Sequence, residues 1–591
     1  MKRRYSELKS NLPHLKFSPF LAIKIKIKEG YTGSDLKDDL MAGLIVALVA
    51  IPLGMALAIA SGAPPESGLY TVIIGGGLVA LLGGSRFQVT GPTAAFVVIL
   101  APIVGKFGLG GLLFAGMLAG ILLVVMGLLK LGQFIQFIPY PVTTGFTSGI
   151  AVVIATIQLK DFFGLKVAQM PDHYFGRIQA LWDARNTFAP TELGVGLTTL
   201  FILLLWPKIN KKIPAPILAL GSVTIGTFLL SKYFPDISIS TIGNRFHFHT
   251  FNGEGNGIPQ TLPVINLPWN FKDPSGYSFS FNFESIRLLM PSAFAIAMLG
   301  AIESLLSAVV ADGMAKTKHD PDSELMALGI GNIICPFFGG IAATGAIART
   351  ATNIRFGAKS PFASIFHAIF TLFAILVFAP YVSYLPMAAM AALLILVAYN
   401  MSEIKHFGHI LKAAPLSDVW VLLICFGLTV AFDMVTGVSV GVMLAALLFM
   451  KRMANLTSVK LTSGGSSVSS AVSIPPEIVV YKIEGPLFFG AAEKASQVLT
   501  QITDDIKAVI FDLSDVPVLD VTGLVALESA INKICTKKRN VFLVGIRAQP
   551  QTLIDRSDIL RDHRIGTSRS ISEAVDQARH LMVSFQAVEA D

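Results

Sequence analysis

From Leu40 to Lys451 the chain is a succession of apolar runs separated by short polar clusters. A helix needs about 20 apolar residues to cross the hydrocarbon core of a bilayer. Runs of this kind lie at 41–60, 66–83, 91–105, 109–130, 140–158, 190–207, 213–231, 288–311, 325–340, 343–356, 360–379, 385–400, 416–434 and 436–451. Of these fourteen segments, 91–105 and 343–356 are too short to cross as complete helices. Beyond the Ser/Gly-rich stretch TSGGSSVSS at 462–470 the pattern changes. EIVVYKIEG, KAVIFDLSDV and NVFLVGI read as strands, and AAEKASQVLTQI, VTGLVALESAINKICTKK and ISEAVDQARHLMVSF as helices. Such alternation predicts helices packed on a sheet. The expected organisation is a charged N-terminal segment 1–39, a membrane domain 40–453, a linker 454–474 and a small α/β domain 475–591.

The loops set the orientation. Clusters at Arg86, Lys130, Lys208, Lys316/Lys318, Arg355/Lys359, Lys405/Lys412 and Lys451/Arg452 fall on alternate connections. The intervening short loops near 61–66, 380–384 and 433–437 carry no Lys or Arg. Basic residues accumulate on the cytoplasmic side, so both termini are predicted inside. The two long outer loops, 159–189 and 232–287, carry mixed charge. Trp206 and Trp420 sit near span ends, as interfacial aromatics do.

Composition sharpens this picture. Of 591 residues, 53% are hydrophobic and 14% charged, against about 25% charged in soluble domains. The net charge of +8 reflects loop topology rather than affinity for nucleic acid. Cys335, Cys425 and Cys535 have no metal-ligand or disulfide spacing. The start, MKRRYSELKSNLPHLKF, lacks the apolar core of a signal peptide. No nucleophile–base pair, phosphate loop or cofactor motif occurs, so an enzyme is not expected.

Seven plus seven segments imply two halves of opposite topology. Carriers built this way place their substrate near the midplane, between discontinuous helices. The short segments are the third of each half. Thr90-Gly91-Pro92-Thr93-Ala94 precedes the first, and Thr344-Gly345-Ala346-Ile347-Ala348 the second. Both read T-G-x-x-A. A helix that starts in mid-membrane presents unpaired N–H groups and a positive dipole end. Two facing each other form an anion pocket; tight helix packing is the other use of such glycines.

Intramembrane charges are costly and usually functional. Glu303 lies in AIAMLGAIESLLSAVV, and Arg349 in the first turn of the second short helix. A cation there opposes the helix dipole, which is tolerable where an anion visits or where Glu303 pairs with it. Glu303 suits a coupling cation, H+ or Na+, with Ser304 and Ser307 as neighbouring oxygens. His367, in an apolar run, reads as a packed, hydrogen-bonded histidine. The stretch Asp312 to His319 reads as a solvated loop, and FNGEGNGIPQ at 251–260 as an outer turn.

The chain resembles the sulfate permease (SulP) family of anion transporters with a C-terminal STAS domain. The resemblance rests on AIPLGMALAIASGAPPESGLY, SRFQVTGPTAAF, GAIESLLSAVVADGM and GGIAATGAIARTATN, and spans about residues 30 to 585. It implies a seven-plus-seven inverted repeat of core and gate domains with an elevator-like motion, in a homodimer. It places the anion at Thr93 and at Ala346, Ala348 and Arg349, with Ala94, Gly345 and Ile347 alongside, and the coupling acid at Glu303. Leu53 and Leu57 occupy first-helix positions where some members carry polar or aromatic site residues. Within the family the resemblance leans to proton-coupled carriers of C4-dicarboxylates such as succinate, fumarate and aspartate. Sulfate or bicarbonate carriage, with Na+ as a possible coupling ion, is the alternative; a passive channel or a STAS-based signalling scaffold with a cytoplasmic protein partner belongs to other classes. In the loop Val518–Gly523, Val521 replaces the phosphorylatable Ser of soluble STAS regulators.

Overall fold

A computed structural model describes residues 19–133, 138–168, 170–171, 173–210, 213–234, 238–250, 253–271, 279, 282–456, 458–463, 474–488, 505–537 and 539–588. The chain folds as two compact units, Met1–Val442 and Met443–Asp591.

Each of the fourteen expected segments contains helix. After a short basic helix α1 (Leu21–Glu29), the first half comprises α2 (Gly33–Ala60), α3 (Pro65–Leu82), α4 (Ala94–Leu128), α5 (Tyr140–Phe162), α6 (Tyr174–Asp183), α7 (Pro190–Ile209), α8 (Ala215–Tyr233) and the single turn α9 (Ile242–Arg245). The second half comprises α10 (Phe283–Ala315), α11 (Pro321–Ile334), α12 (Ile347–Arg355), α13 (Phe362–Val382), α14 (Met387–Met401), α15 (Ile404–Ala413), α16 (Leu416–Ala431) and α17 (Met434–Leu456). Ten of the described helices are long and apolar enough to cross a membrane. Several start on a proline in the first turn, as α3, α5, α7, α8 and α11 do. There the missing N–H costs nothing.

Segments 91–105 and 109–130 form one helix, α4, kinked where Gly108 adopts φ 66°. The two segments are thus joined by a kink at a single glycine and not by a loop. Helix α2 begins eight residues before the apolar run because Thr32 and Asp35 form a reciprocal capping box, each bonding the other's backbone N–H at 3.2 Å. The outer loops hold more structure than expected. Helix α6 lies in the first, and a hairpin of β2 (His247–Thr250) and β3 (Gly253–Asn256) occupies the predicted turn.

Polar anchors pin several helix ends. Asp39 is fully buried and accepts from Lys359 N at 2.6 Å, Ser360 N at 3.1 Å and the Tyr31 hydroxyl at 2.9 Å. Glu324 accepts from Gly84 N and Ser85 N, both at 2.9 Å. His319 is buried against Asp312, 2.7 Å from its carboxylate, so this stretch is a lock and not a solvated loop. Sequence reading missed these because caps give no hydropathy signal. His367 is buried, with Nε2 lacking a hydrogen-bond partner among the described residues, contrary to the bonded histidine expected.

The helices sort into two groups. Helix α4 packs against α10 and α11, α2 against α13, and α12 against α10; these are core helices. Helices α5, α7, α8, α14 and α16 pack on one another as the gate. Lipid supplies no hydrophobic drive between helices, so small residues let backbones approach. At the α4–α11 crossing a Cβ on Gly120 or Gly329 would meet the other's carbonyl oxygen at 2.7 Å.

The second unit carries a five-stranded sheet in the order β5-β6-β7-β8-β9, where β5 is Ser458–Ser463, β6 Ile478–Glu484, β7 Ala508–Asp515, β8 Asn540–Val544 and β9 Ile565–Ser568. β5 pairs antiparallel and the rest are parallel. Val479, Tyr481, Val509, Phe511, Val541 and Leu543 face Leu527, Ile531 and Ile534 of α18 (Val521–Thr536) and Ile554 of α19 (Ala548–Ile554). Ile478, Val480, Ala508, Ile510, Phe542 and Val544 face Ala574, Val575 and Ala578 of α20 (Ile571–Val588). Burial on both faces explains the unbroken apolar strands. β5 lies inside the expected linker 454–474, and α19 and β9 went unforeseen. The expected helix AAEKASQVLTQI lies outside the described residues.

Candidate anion site

The two T-G-x-x-A motifs meet. Thr90-Gly91, β1, pairs antiparallel with Thr344-Gly345, β4, in the register Thr90↔Gly345 and Gly91↔Thr344. Exchanging the two halves leaves this register unchanged, as an inverted repeat requires. The pairing sets the N-terminus of α4 beside that of α12. Neither end has a side-chain cap: Thr93 at the first makes no capping bond, and Ala346 at the second has no polar atom. The first N–H groups of both helices thus have no side-chain cap among the described residues, the arrangement in which a helix end can receive an anion.

Thr93 instead donates its hydroxyl to Glu303 Oε2 at 2.7 Å, tying α4 to α10. Glu303 is half-buried. Arg349 is 2% exposed, and its Nη2 donates to the Pro92 carbonyl. Its Nε and Nη1 are buried with no hydrogen-bond partner. Among the described residues Arg349 forms no ion pair, so Glu303 does not neutralise it through contact. A buried guanidinium with two unmet donors carries a desolvation cost of several kcal/mol, on the order of 1–3 kcal/mol for each unmet group and more when charged. An oxyanion bridging those nitrogens and the uncapped N–H groups removes that cost.

The glycines serve these side chains. A Cβ on Gly91 would meet Arg349 Nη1 at 2.6 Å, and one on Gly345 would meet Gln88 Nε2 at 2.4 Å. Gln88 donates to Ser304 Oγ at 2.5 Å, and Ser307 Oγ bonds Thr350 Oγ1 at 3.1 Å. Both serine hydroxyls are therefore engaged with the β1 and α12 flank, on bonds separate from the Glu303–Thr93 link. Ala94 and Ala346 are buried, whereas Ile347 and Ala348 are exposed at the start of α12. Leu57 is fully buried and Leu53 half-buried on α2, against which α12 packs. Gln88 and Thr350 were not singled out in sequence; Gln88, two residues before the first T-G, was the available signal. In the second unit Asp520 caps α18 through Gly523 N at 2.6 Å, and Val521 is 67% exposed.

Comparison with known proteins agrees with this architecture. Residues 36–425 match the sulfate permease family, and residues 469–578 the STAS domain. A putative sulfate transporter of Bacillus subtilis is 40% identical over 539 residues, 91% of this chain and 96% of the relative. A bicarbonate transporter of Synechocystis is 29% identical over 546 residues, 89% of this chain and 91% of its own. Among solved structures, the murine Slc26a9 anion transporter shares the fold with TM-score 0.81 at 18% identity, covering 98% of each chain. The transmembrane domain of a cyanobacterial bicarbonate transporter aligns at TM-score 0.58 and 26% identity over 70% of this chain and 98% of that one. The chain belongs to the sulfate permease family of anion transporters, with a STAS domain following its membrane unit.

Proposed function

We propose that this protein is a secondary carrier of small inorganic oxyanions, of the sulfate or bicarbonate class, that binds its substrate between the N-termini of α4 and α12. The observation that carries this reading is the Arg349 guanidinium, buried with Nε and Nη1 unpartnered beside two uncapped helix ends. The C4-dicarboxylate reading implied by resemblance has less support. Relatives aligned over nine-tenths of the chain are named for sulfate and bicarbonate. Glu303, bonded to the Thr93 that heads α4, is the proposed seat of a coupling H+ or Na+. Protonation or Na+ binding there alters the charge beside the anion, so the two cargoes are thermodynamically linked.

The β1–β4 pairing favours the elevator scheme, since both half-helices are tied into one body that moves against the gate. The alternation of basic and uncharged loops supports cytoplasmic termini in a cell inner membrane. A homodimer, and a cytoplasmic protein partner for the STAS domain, remain part of the proposal on family grounds. The test is uptake into proteoliposomes of sulfate, bicarbonate, succinate, fumarate and aspartate, each with and without Na+ and across a pH gradient. Saturable accumulation of sulfate or bicarbonate supports the proposal. Accumulation of dicarboxylates alone overturns the substrate class, and linear, non-accumulating flux overturns the carrier.

A further inference from the structure

A second cationic cavity lies farther along α4. It measures about 550 Å3 and is walled by the C-terminal turns of α2, by α4 from Ala101 to Gly105 and by α14, with α5 closing the other side. Ala101 is eight residues beyond Thr93, about 12 Å at 1.5 Å per residue. The cavity is therefore separate from the pair of helix ends, on the side where α5 finishes.

Its polar lining is one-sided. Among the described lining residues, Lys160, Arg177 and Arg245 contribute three cations, and Asp161 the sole carboxylate. Arg245 spends its charge on Asp161 at 2.6 Å. Arg177 is 5% exposed and donates Nε to the Pro171 carbonyl at 2.8 Å. Lys160 is half-buried and makes no ion pair among the described residues. Gln158, 4% exposed, adds an amide to the same wall. An ammonium group without an ion-pair partner, held in a low-dielectric pocket, attracts anions.

We propose that this cavity is an outer waiting site for a small anion, held between core and gate before it reaches the Arg349 pocket. The proposal rests on the carrier reading and its orientation, which put the end of α5 on the outer face. The occupant is an inorganic anion of one or two charges: either the transported oxyanion or a spectator such as chloride. Lys160 is the residue whose charge is not already spent.

The test uses full-length protein in proteoliposomes, with labelled sulfate or bicarbonate offered at the outer or the inner face. Lys160→Gln raises the outer-face half-saturation concentration roughly three- to tenfold, with the maximal rate unchanged and a flatter dependence on ionic strength. Inner-face half-saturation stays as in the wild type, and Lys160→Arg restores the outer value. The assay is repeated with chloride replaced by gluconate. A shift that persists assigns the site to the transported anion, and one that needs chloride assigns it to the spectator. No outer-face shift in either medium, or equal shifts at both faces, overturns the proposal. Sulfate-dependent thermal stabilisation in detergent separates this from failure of the carrier reading. Arg349→Met keeps a weak saturable component, with sulfate or with chloride, that Lys160→Gln/Arg349→Met lacks; loss of stabilisation by both anions in Arg349→Met alone overturns the second site. A wild type that carries no flux sinks the carrier reading while leaving this binding assay decisive.

Discussion

Replacing Arg349 by Met separates a guanidinium kept for a ligand from one kept for the fold. Met fills a similar volume without charge. In the anion-loaded protein the change removes a unit charge at roughly 4 Å, about 4 kcal/mol at an effective dielectric near 20. Two charge-assisted hydrogen bonds at about 1.5–3 kcal/mol each describe the same loss from the other side. At tenfold per 1.4 kcal/mol, affinity falls at least about 100-fold. In anion-free protein the sign reverses. The substitution relieves a buried cation whose Nε and Nη1 have no hydrogen-bond partner among the described residues, and forfeits the bond from Nη2 to Pro92 together with the longer-range attraction to Glu303. That bond contributes about 1.5–3 kcal/mol, less than the cost of burying an unpaired charge. Thermal unfolding in detergent is thus expected to show a higher midpoint for Arg349→Met without sulfate, and, when sulfate is added, only the weak upward shift that the second cavity supplies. Proteoliposome uptake should be lost in parallel. A variant that melts below the wild type in anion-free buffer and transports with normal half-saturation would refute this reasoning and make Arg349 a structural cation.

Glu303→Gln keeps an amide partner for Thr93 but cannot carry H+ or bind Na+ as a carboxylate; uptake measured from pH 5 to 8, with and without Na+, should become insensitive to both. Gly91→Ala places a methyl 2.6 Å from Arg349 Nη1 and should raise half-saturation roughly tenfold while leaving expression intact, as read by uptake kinetics and detergent chromatography. Gly120→Leu forces apart backbones that touch at the α4–α11 crossing, so folded protein recovered from membranes should fall sharply, while Gly221→Leu, where nothing lies within 4 Å, serves as the tolerant control. In the STAS domain Asp520→Ala removes the cap bond to Gly523 and should cost about 1 kcal/mol in chemical denaturation, whereas exposed Val521→Ser should change it by less than about 0.5 kcal/mol.

The membrane architecture was legible because hydropathy is additive along a helix. All fourteen apolar runs became helical, and the two short ones proved to be the helices that start at Ala94 and Ile347. The repeated T-G was legible as a motif, yet its meaning was only half visible. Pairing of Thr90 with Gly345 is a contact across 255 residues, which no local pattern encodes. Glu303 and Arg349 stood out because charge is rare in such surroundings. Their partners did not, since Thr93 and Pro92 are ordinary residues until the fold aims them. Buried caps such as Asp39 and Glu324 escaped for a related reason: each satisfies backbone N–H groups of a distant turn and looks, in sequence, like loop charge. The edge strand β5 was hidden by its Ser/Thr-rich flank, where composition argues for linker and only pairing with β6 argues for strand.

The β1–β4 ladder is palindromic, and that has a bearing on how the carrier treats its two sides. Viewed from either face of the bilayer, the backbone around the anion offers the same pair of strands and the same pair of helix ends. The side chains break this equivalence. Counted from each T-G, Ala95 holds the place in the first half that Arg349 holds in the second, and Thr93 the place of Ile347. A symmetric cradle therefore carries a lopsided charge. Half-saturation measured from outside and from inside should differ, and at this cradle the difference originates in one guanidinium and one hydroxyl rather than in the frame that holds them, in addition to what Lys160 contributes at the outer face.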